Sequence, residues 1–205
     1  MTKEPPRKTI YRLSIYQRCL GKLRGNDVET VSSEALAKAA GVKPTQLRKD
    51  LAYFGQFGTR GLGYNVAMLS SFLDEVLGTT RLQPVILIGV GNLGAALLRY
   101  DGFQKEGFEI TAAFDLAPDI ANTRNVPFRI RPAQEMAAYV REQHVKMAIL
   151  AIPSTSAQAV VNEAVDAGIQ AILNFSPTVL QVPGHVIVNS VDLAVELENL
   201  SYFIR

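Results

Sequence analysis

Pro84-Val-Ile-Leu-Ile-Gly-Val-Gly-Asn-Leu-Gly94 is the stretch that decides the fold of this 205-residue chain. Its first five residues make the aliphatic, β-branched run that a central parallel strand needs, because both faces of such a strand are covered. The run passes directly into G-x-G-x-x-G, and Ala95-Ala-Leu-Leu-Arg-Tyr100 then reads as a helix. Strand, glycine loop and helix in that order form a dinucleotide-binding turn, and the order lifts the motif above a chance match. Gly89 serves the tight turn, Gly91 the close approach of a pyrophosphate, and Gly94 the packing of helix on strand. The pyrophosphate is expected at the helix N-terminus, where free N–H groups and the helix dipole attract anions. Gly89, Val90, Gly91, Asn92, Leu93 and Gly94 are therefore the candidate cofactor cradle.

Toward the C-terminus, a second strand over 108–114 closes on Asp115, 21 residues after Gly94. A carboxylate there suits both hydroxyls of an adenine ribose and repels a 2′-phosphate. No Arg or Lys follows before Arg124, so NAD(H) is expected rather than NADP(H). A loop acid or helix cap is the plainer alternative for Asp115. Helix 132–144, strand 146–152, helix 156–167 closed by Gly168, strand 169–175, a short strand 186–189 and helix 191–203 continue the alternation. Strands alternating with helices mean a parallel, doubly wound, Rossmann-like α/β sheet. Ligands of such sheets bind beyond the strand C-termini, which adds Ile152, Pro153, Asn174 and Phe175 as candidate pocket walls.

Toward the N-terminus the pattern changes to short helices. Residues 9–23 carry Ile10, Leu13, Ile15, Tyr16, Leu20 and Leu23 on a broad apolar face. Ser32 is a good N-cap with Glu34 in the first turn behind it, and Ala35, Leu36, Ala39 and Ala40 are expected to pack inward. After Gly41-Val-Lys43, Pro44 suits the first position of a third helix, 44–54, with Leu47, Leu51 and Phe54 as its buried stripe. Thr45, Gln46, Arg48, Lys49 and Ala52 fall on its other faces. Two helices and a glycine turn, with Thr, Gln, Arg and Lys presented outward, match a helix-turn-helix, and a plain helical hairpin is the alternative. In a major groove Arg reads guanine edges and Gln adenine edges, while Lys and Thr hold phosphates. Gly55-Gln-Phe-Gly-Thr-Arg-Gly-Leu-Gly-Tyr64 follows, and its glycines allow a tight hairpin with Arg60 at the tip. A basic hairpin behind a recognition helix is the wing of a winged helix, although glycine-rich loops are also common. An amphipathic helix over 66–77 stops at Gly78, and 78–83 is the expected domain boundary.

Charge divides along the same line. Residues 1–60 hold 12 Lys/Arg against five acids, whereas the whole chain has a net charge of only +2. A head of +7 on an acidic body suggests a polyanion-binding head, with a solvated basic surface as the alternative. No apolar run approaches the ~20 residues needed to span a bilayer, and the charged start lacks the apolar core of a signal peptide. The single cysteine, Cys19, is read as core and fits a reducing, cytoplasmic setting. His144 and His185 are the only histidines, and neither falls at a strand C-terminus near the glycine loop. No metal-ligand cluster appears, and the nucleotide fold consumes the chain after residue 78, leaving little for a substrate domain. A dinucleotide bound without an acid–base partner points to sensing rather than turnover.

With winged head, wing glycines and dinucleotide fingerprint together, the sequence resembles the Rex family of redox-sensing transcriptional repressors over nearly its whole length. The most specific pieces are 46–55, 58–64, 89–94, 172–177 and 191–197. The resemblance implies a winged-helix domain at 1–78, an NAD(H)-binding domain at 79–190, and a C-terminal helix at 191–205 swapped into the partner of a homodimer. It implies binding to an inverted-repeat operator duplex when NAD⁺ prevails and release by NADH, with no metal and no membrane. Operator contacts would come from Thr45, Gln46, Arg48, Lys49, Tyr53 and Arg60. A coupling set of Arg18, Tyr100 and Asp192 would link cofactor state to head orientation; their plainer roles are a DNA-facing base, a packing residue and an N-cap. Two rivals remain: a sensor of another nucleotide such as coenzyme A, and a small NAD-dependent oxidoreductase with a regulatory head.

Overall fold

In the N-terminal segment the elements run α1 (Arg7–Arg24), β1 (Thr30–Val31), α2 (Ser33–Ala39), α3 (Pro44–Ala52), β2 (Gly58–Thr59), β3 (Gly63–Asn65) and α4 (Val66–Leu77). The computed structural model describes residues 4–59 and 61–204, and it divides into two units, Met1–Arg81 and Leu82–Arg205. Local chemistry sets the helix ends of the first unit. The Ser32 hydroxyl accepts from the Ala35 N–H, Pro44 occupies the first turn of α3, and Asn65 caps α4 by accepting from the Met68 N–H. Gly78 ends α4 at φ 71°. The three strands form an antiparallel sheet in the order β1-β3-β2, so the glycine-rich hairpin 58–65 stands on a third strand contributed from between α1 and α2. Two helices followed by such a hairpin constitute a winged helix. Its core is a single cluster of Leu13, Tyr16, Leu20, Leu36, Ala37, Leu47, Leu51, Tyr64, Leu69 and Leu73.

Two details of the head differ from the sequence pattern. Ala35 and Ala39 are exposed and Ala37 is buried, because a helix beginning at Ser33 puts Leu36, Ala37 and Ala40 on one side. α3 ends at Ala52 rather than 54, since Tyr53 caps it and the chain turns at Gly55 with φ 141°.

The second unit contains β4 (Gln83–Ile88), α5 (Asn92–Leu98), α6 (Gly102–Lys105), β5 (Phe108–Asp115), α7 (Pro118–Asn122), β6 (Arg131–Pro132), α8 (Met136–Gln143), β7 (Met147–Leu150), α9 (Ser154–Ala167), β8 (Ala171–Asn174), β9 (Ile187–Ser190) and α10 (Leu193–Tyr202). Its six strands are all parallel in the order β6-β5-β4-β7-β8-β9. Alternation along β4 explains the double winding. Ile86 and Ile88 pack with α8 and α9, while Val85 and Leu87 pack with α5 and α7. The strand order reverses between β4 and β7, which opens a crevice at their carboxyl ends.

Several boundaries are tighter than the pattern suggests. β7 and β8 stop at Leu150 and Asn174, and α5 stops at Leu98. The short α6, α7, β1 and β6 had no sequence signal, because elements of two to five residues show no period. α10 begins at Leu193 and is capped by Asp192, whose carboxylate accepts from the Ala194 and Val195 N–H groups, and none of its described residues is buried. Among the described residues, no helix is long and apolar enough to cross a membrane, and no three His, Cys, Asp or Glu side chains cluster as metal ligands.

Candidate functional site

β4 delivers the chain to the crevice, and Gly89 turns it there at φ 92°. A Cβ on Gly89 would overlap Ile152 Cγ2 and Ala151 O, so strand β4 and the segment after β7 approach as closely as backbones can. The Ala151 N–H donates to Ile88 O at 2.8 Å, and the Gly89 N–H donates to Phe114 O at 2.8 Å, carrying the sheet one bond past its strands. A Cβ on Gly94 would overlap Gly89 O, which fixes α5 against the loop. Gly91 differs: nothing lies within 4 Å of where its Cβ would be. The fold itself does not require glycine at 91, and a bound pyrophosphate does. This residue set therefore fits a dinucleotide.

Asp115 crosses from the end of β5 to this loop. Its Oδ2 accepts from the Val90 N–H at 2.7 Å and its Oδ1 from the Ala117 N–H at 2.8 Å. The carboxylate thus ties the glycine loop to the neighbouring strand while lining the crevice. A cavity of about 230 Å³ there is bounded by Gly89, Gly91, Asp115, Ile152 and Pro153, together with Leu116, Met136 and Ser156. Val90 is buried behind it, and Asn92 and Leu93 are exposed at the start of α5. Asn174 and Phe175 do not line it. Asn174 is fully buried, with its amide N–H groups on Ser176 O, Thr178 O and Ser190 Oγ and its Oδ1 on the Ser176 N–H. Ser176 Oγ then donates to Ile152 O at 2.6 Å. Asn174 shapes the wall from behind, and Phe175 packs on the opposite layer. Sequence reading passed over Arg124, whose guanidinium donates to Asn92 Oδ1 at 2.6 Å beside the loop.

The three coupling candidates occupy distinct places. Arg18 is exposed on α1. Tyr100 is exposed just past α5, its ring edge-on to Phe103 at 5.1 Å. Asp192 is the N-cap of α10.

In the head, Thr45, Arg48 and Lys49 of α3 are exposed, and Gln46 and Tyr53 are half-buried. Arg48 leans on the start of α2, donating to Ser33 Oγ at 2.8 Å with Glu34 Oε1 at 3.5 Å. An open hollow of about 630 Å³ lies between α2, α3 and the hairpin, with Arg48, Gly58 and Tyr64 in its wall. Arg60 lies outside the described residues; Thr59 and Gly61 flank it and are exposed.

The largest feature missed in the sequence is Asp50, on the inner side of α3 and fully buried. Its Oδ1 accepts from Thr9 Oγ1 at 3.1 Å, Arg12 Nη2 at 2.7 Å and Gln46 Nε2 at 2.9 Å. Its Oδ2 accepts from Arg12 Nε at 2.6 Å and the Tyr16 hydroxyl at 2.8 Å. Burial alone would push the carboxyl's pKa up, but the hydrogen bonds from Arg12, Tyr16, Gln46 and Thr9 hold it below the usual range. Burial, then the bond to Asp50, pushes the Tyr16 hydroxyl well above its ordinary value, so it stays a donor. A signal existed: an acid three residues after Leu47 sits on the buried face of its helix and demands donors, and Thr9, Arg12 and Tyr16 share one face of α1.

Comparison with known proteins matches both halves. A family model described as "CoA binding domain" covers residues 80–178, and one described as "Putative DNA-binding protein N-terminus" covers 6–52. A protein of Pelotomaculum thermopropionicum named "Redox-sensing transcriptional repressor Rex" is 44% identical over 96% of this chain and 92% of its own. One of the same name from Carboxydothermus hydrogenoformans is 45% identical over 98% of this chain and 96% of its own. Among solved structures, RSP in complex with beta-NAD⁺ and operator DNA is similar with a TM-score of 0.90 at 37% identity, covering 98% of this chain and 93% of that one. RSP in complex with beta-NADH gives 0.85 at 35% identity, covering 97% and 93%.

Proposed function

The chain belongs to the Rex family of redox-sensing transcriptional repressors, and from that premise we propose that it holds an operator while NAD⁺ prevails and lets go when NADH binds. The observation that carries this reading is the open space at Gly91 in a glycine loop at the sheet's reversal point, in a chain that also contains a winged helix. NAD(H) is then a regulatory ligand. Gly89, Val90, Gly91, Asn92, Leu93 and Gly94 would hold its pyrophosphate and Asp115 its adenine ribose. Ile152 and Pro153 would wall the pocket, with Asn174 supporting that wall from behind through Ser176. Thr45, Gln46, Arg48, Lys49, Tyr53 and Arg60 would meet the duplex, Arg48 reading base edges and Lys49 holding phosphate.

The reading extends to a homodimer on an inverted repeat, acting on chromosomal DNA and therefore in the cytoplasm. The domains would be 1–78, 79–190 and 191–205, with α10 docking into a partner. The exposed Leu193, Val195, Leu197, Leu200 and Tyr202 favour that docking, because so apolar a helix gains by burial against another surface. Arg18, Tyr100 and Asp192 would connect ligand state to head orientation. Reduction removes the positive charge of the nicotinamide, so NADH can shift the protein only by preferring one arrangement of the dimer. Reversing occupancy from 99:1 needs a preference of ~10⁴-fold.

The match to a coenzyme A-binding model favours one alternative ligand. A gel shift with an operator-like palindrome, titrated separately with NADH, NAD⁺, NADPH and coenzyme A, decides between them. Release by NADH alone at micromolar concentration is expected; release by coenzyme A, or indifference to all four, would refute the proposal.

A further inference from the structure

Arg48, the α3 cation assigned to base reading, is held by two groups at the start of α2. Its Nη1 donates to Ser33 Oγ at 2.8 Å and lies 3.5 Å from Glu34 Oε1. The Ser33 hydroxyl in turn donates to the same Glu34 oxygen at 3.2 Å, which closes a triangle. The Nε and Nη2 groups of Arg48 have no partner among the described residues. The Glu34 backbone N–H, then the Ser33 hydroxyl, hold the Glu34 carboxyl below the usual carboxylate range, so it is charged at neutral pH. All three residues line the open hollow between α2, α3 and the glycine hairpin, and the Glu34 side chain is 70% exposed. An acid on a face that meets a polyanion weakens binding. Its helix does not depend on it, because Ser32 caps α2.

We infer that Glu34 is a specificity-determining residue, which neutralises Arg48 so that the guanidinium reads a base edge instead of seeking phosphate. Binding that ignores sequence comes from cations that neutralise phosphates and release their counterions. A guanidinium already paired with a carboxylate adds little to that term. A phosphate that displaced Glu34 would also leave the freed carboxylate facing like charge, which is discrimination by penalty against the wrong partner. Guanine presents two neutral acceptors, N7 and O6, and an arginine can meet them with donors that the triangle leaves unused. The pair thus lowers the affinity for any duplex while sparing the contact that identifies the right one. The inference rests on α3 being the recognition helix, and the controls separate the two.

The test uses the full-length protein with an operator-like palindrome and a scrambled duplex of the same length. Affinities are read by fluorescence anisotropy between about 50 and 200 mM salt. Glu34→Gln preserves the size of an exposed side chain and is expected to fold as wild type does in circular dichroism. On the scrambled duplex it should bind roughly fivefold more tightly at the low-salt end, and the slope of log affinity against log salt should steepen by about 0.9, the value of one phosphate contact. On the operator, where Arg48 is committed to a base, the gain should be smaller, so the ratio of operator to scrambled affinity falls. Adding Arg48→Ala to Glu34→Gln should erase the extra slope, because the released cation is gone. An unchanged ratio in Glu34→Gln overturns the inference. So does an extra slope that survives in the double variant, which would assign the effect to plain charge repulsion. Failure of the wider reading has a different signature: Arg48→Ala and Lys49→Ala would each leave operator affinity untouched, and the inference would fall with the recognition helix.

Discussion

Removing the Asp50 carboxylate should unfold the head long before it disturbs the body. In Asp50→Ala the Tyr16 hydroxyl, on a fully buried side chain, loses its acceptor at 2.8 Å. A buried donor left unsatisfied costs about 1–3 kcal/mol. Arg12 loses both of its short bonds, but its side chain is 22% exposed and can rehydrate. Its share therefore falls below the roughly 3–5 kcal/mol of a fully buried broken pair. Thr9 and Gln46 lose one bond each. Together the loss is about 3–5 kcal/mol, comparable with the whole stability of many domains. For a unit of this size each kcal/mol moves Tm by about 4–8 °C, so a fall of at least ~12 °C is expected. The sign with pH follows from the depressed carboxyl of Asp50. Its contribution is complete above the unfolded value near 4 and disappears as pH falls through the lower folded value. The gap between wild type and Asp50→Ala, measured by circular dichroism melts from pH 7 to pH 2.5, should therefore close toward the acid end. A variant within ~1 kcal/mol of wild type at pH 7 would show that the network carries no net stability.

Four further outcomes follow from the same geometry. Gly91→Ala should fold with unchanged Tm and bind operator normally, yet resist release by NADH in a gel shift; release at the wild-type dose would place the ligand elsewhere. Gly89→Ala should instead lower Tm, because its Cβ meets Ile152 and Ala151 at positive φ, with a cost of about 1–3 kcal/mol. Arg48→Ala should weaken operator binding by about 1–3 kcal/mol with discrimination lost at one base pair, and an equal loss on random DNA would reduce Arg48 to a phosphate contact. Replacing Leu197 and Leu200 of α10 by Asp should convert a dimer to monomer in sedimentation; an unchanged dimer would remove α10 from the interface.

Much of the architecture was legible from residues whose role is local. The 84–94 stretch announced strand, turn and helix because its glycines answer to backbone needs that the structure displays at Gly89 and Gly94. Ser32, Pro44, Gly78 and Gly168 marked helix ends for the same reason. What escaped was non-local. Asp50 reads as one more surface acid after Arg48-Lys49, and only the arrival of α1 turns it into the centre of a polar core. Asn174 looked like a pocket wall, yet tertiary packing buries it behind that wall. Arg124 lies 32 residues from its partner Asn92, and nothing between them signals the approach. Ala35 and Ala39 were misplaced because alanine gives little periodic signal.

The empty space at Gly91 has a genetic corollary. A single nucleotide change turns a glycine codon into one for alanine, and the folded protein would not register it. No chaperone or protease would single such a chain out. Selection can hold Gly91 only through the fitness of cells that need their genes derepressed, so lineages living at a steady redox state should accumulate repressors that are stable, bind their operators and no longer hear the signal.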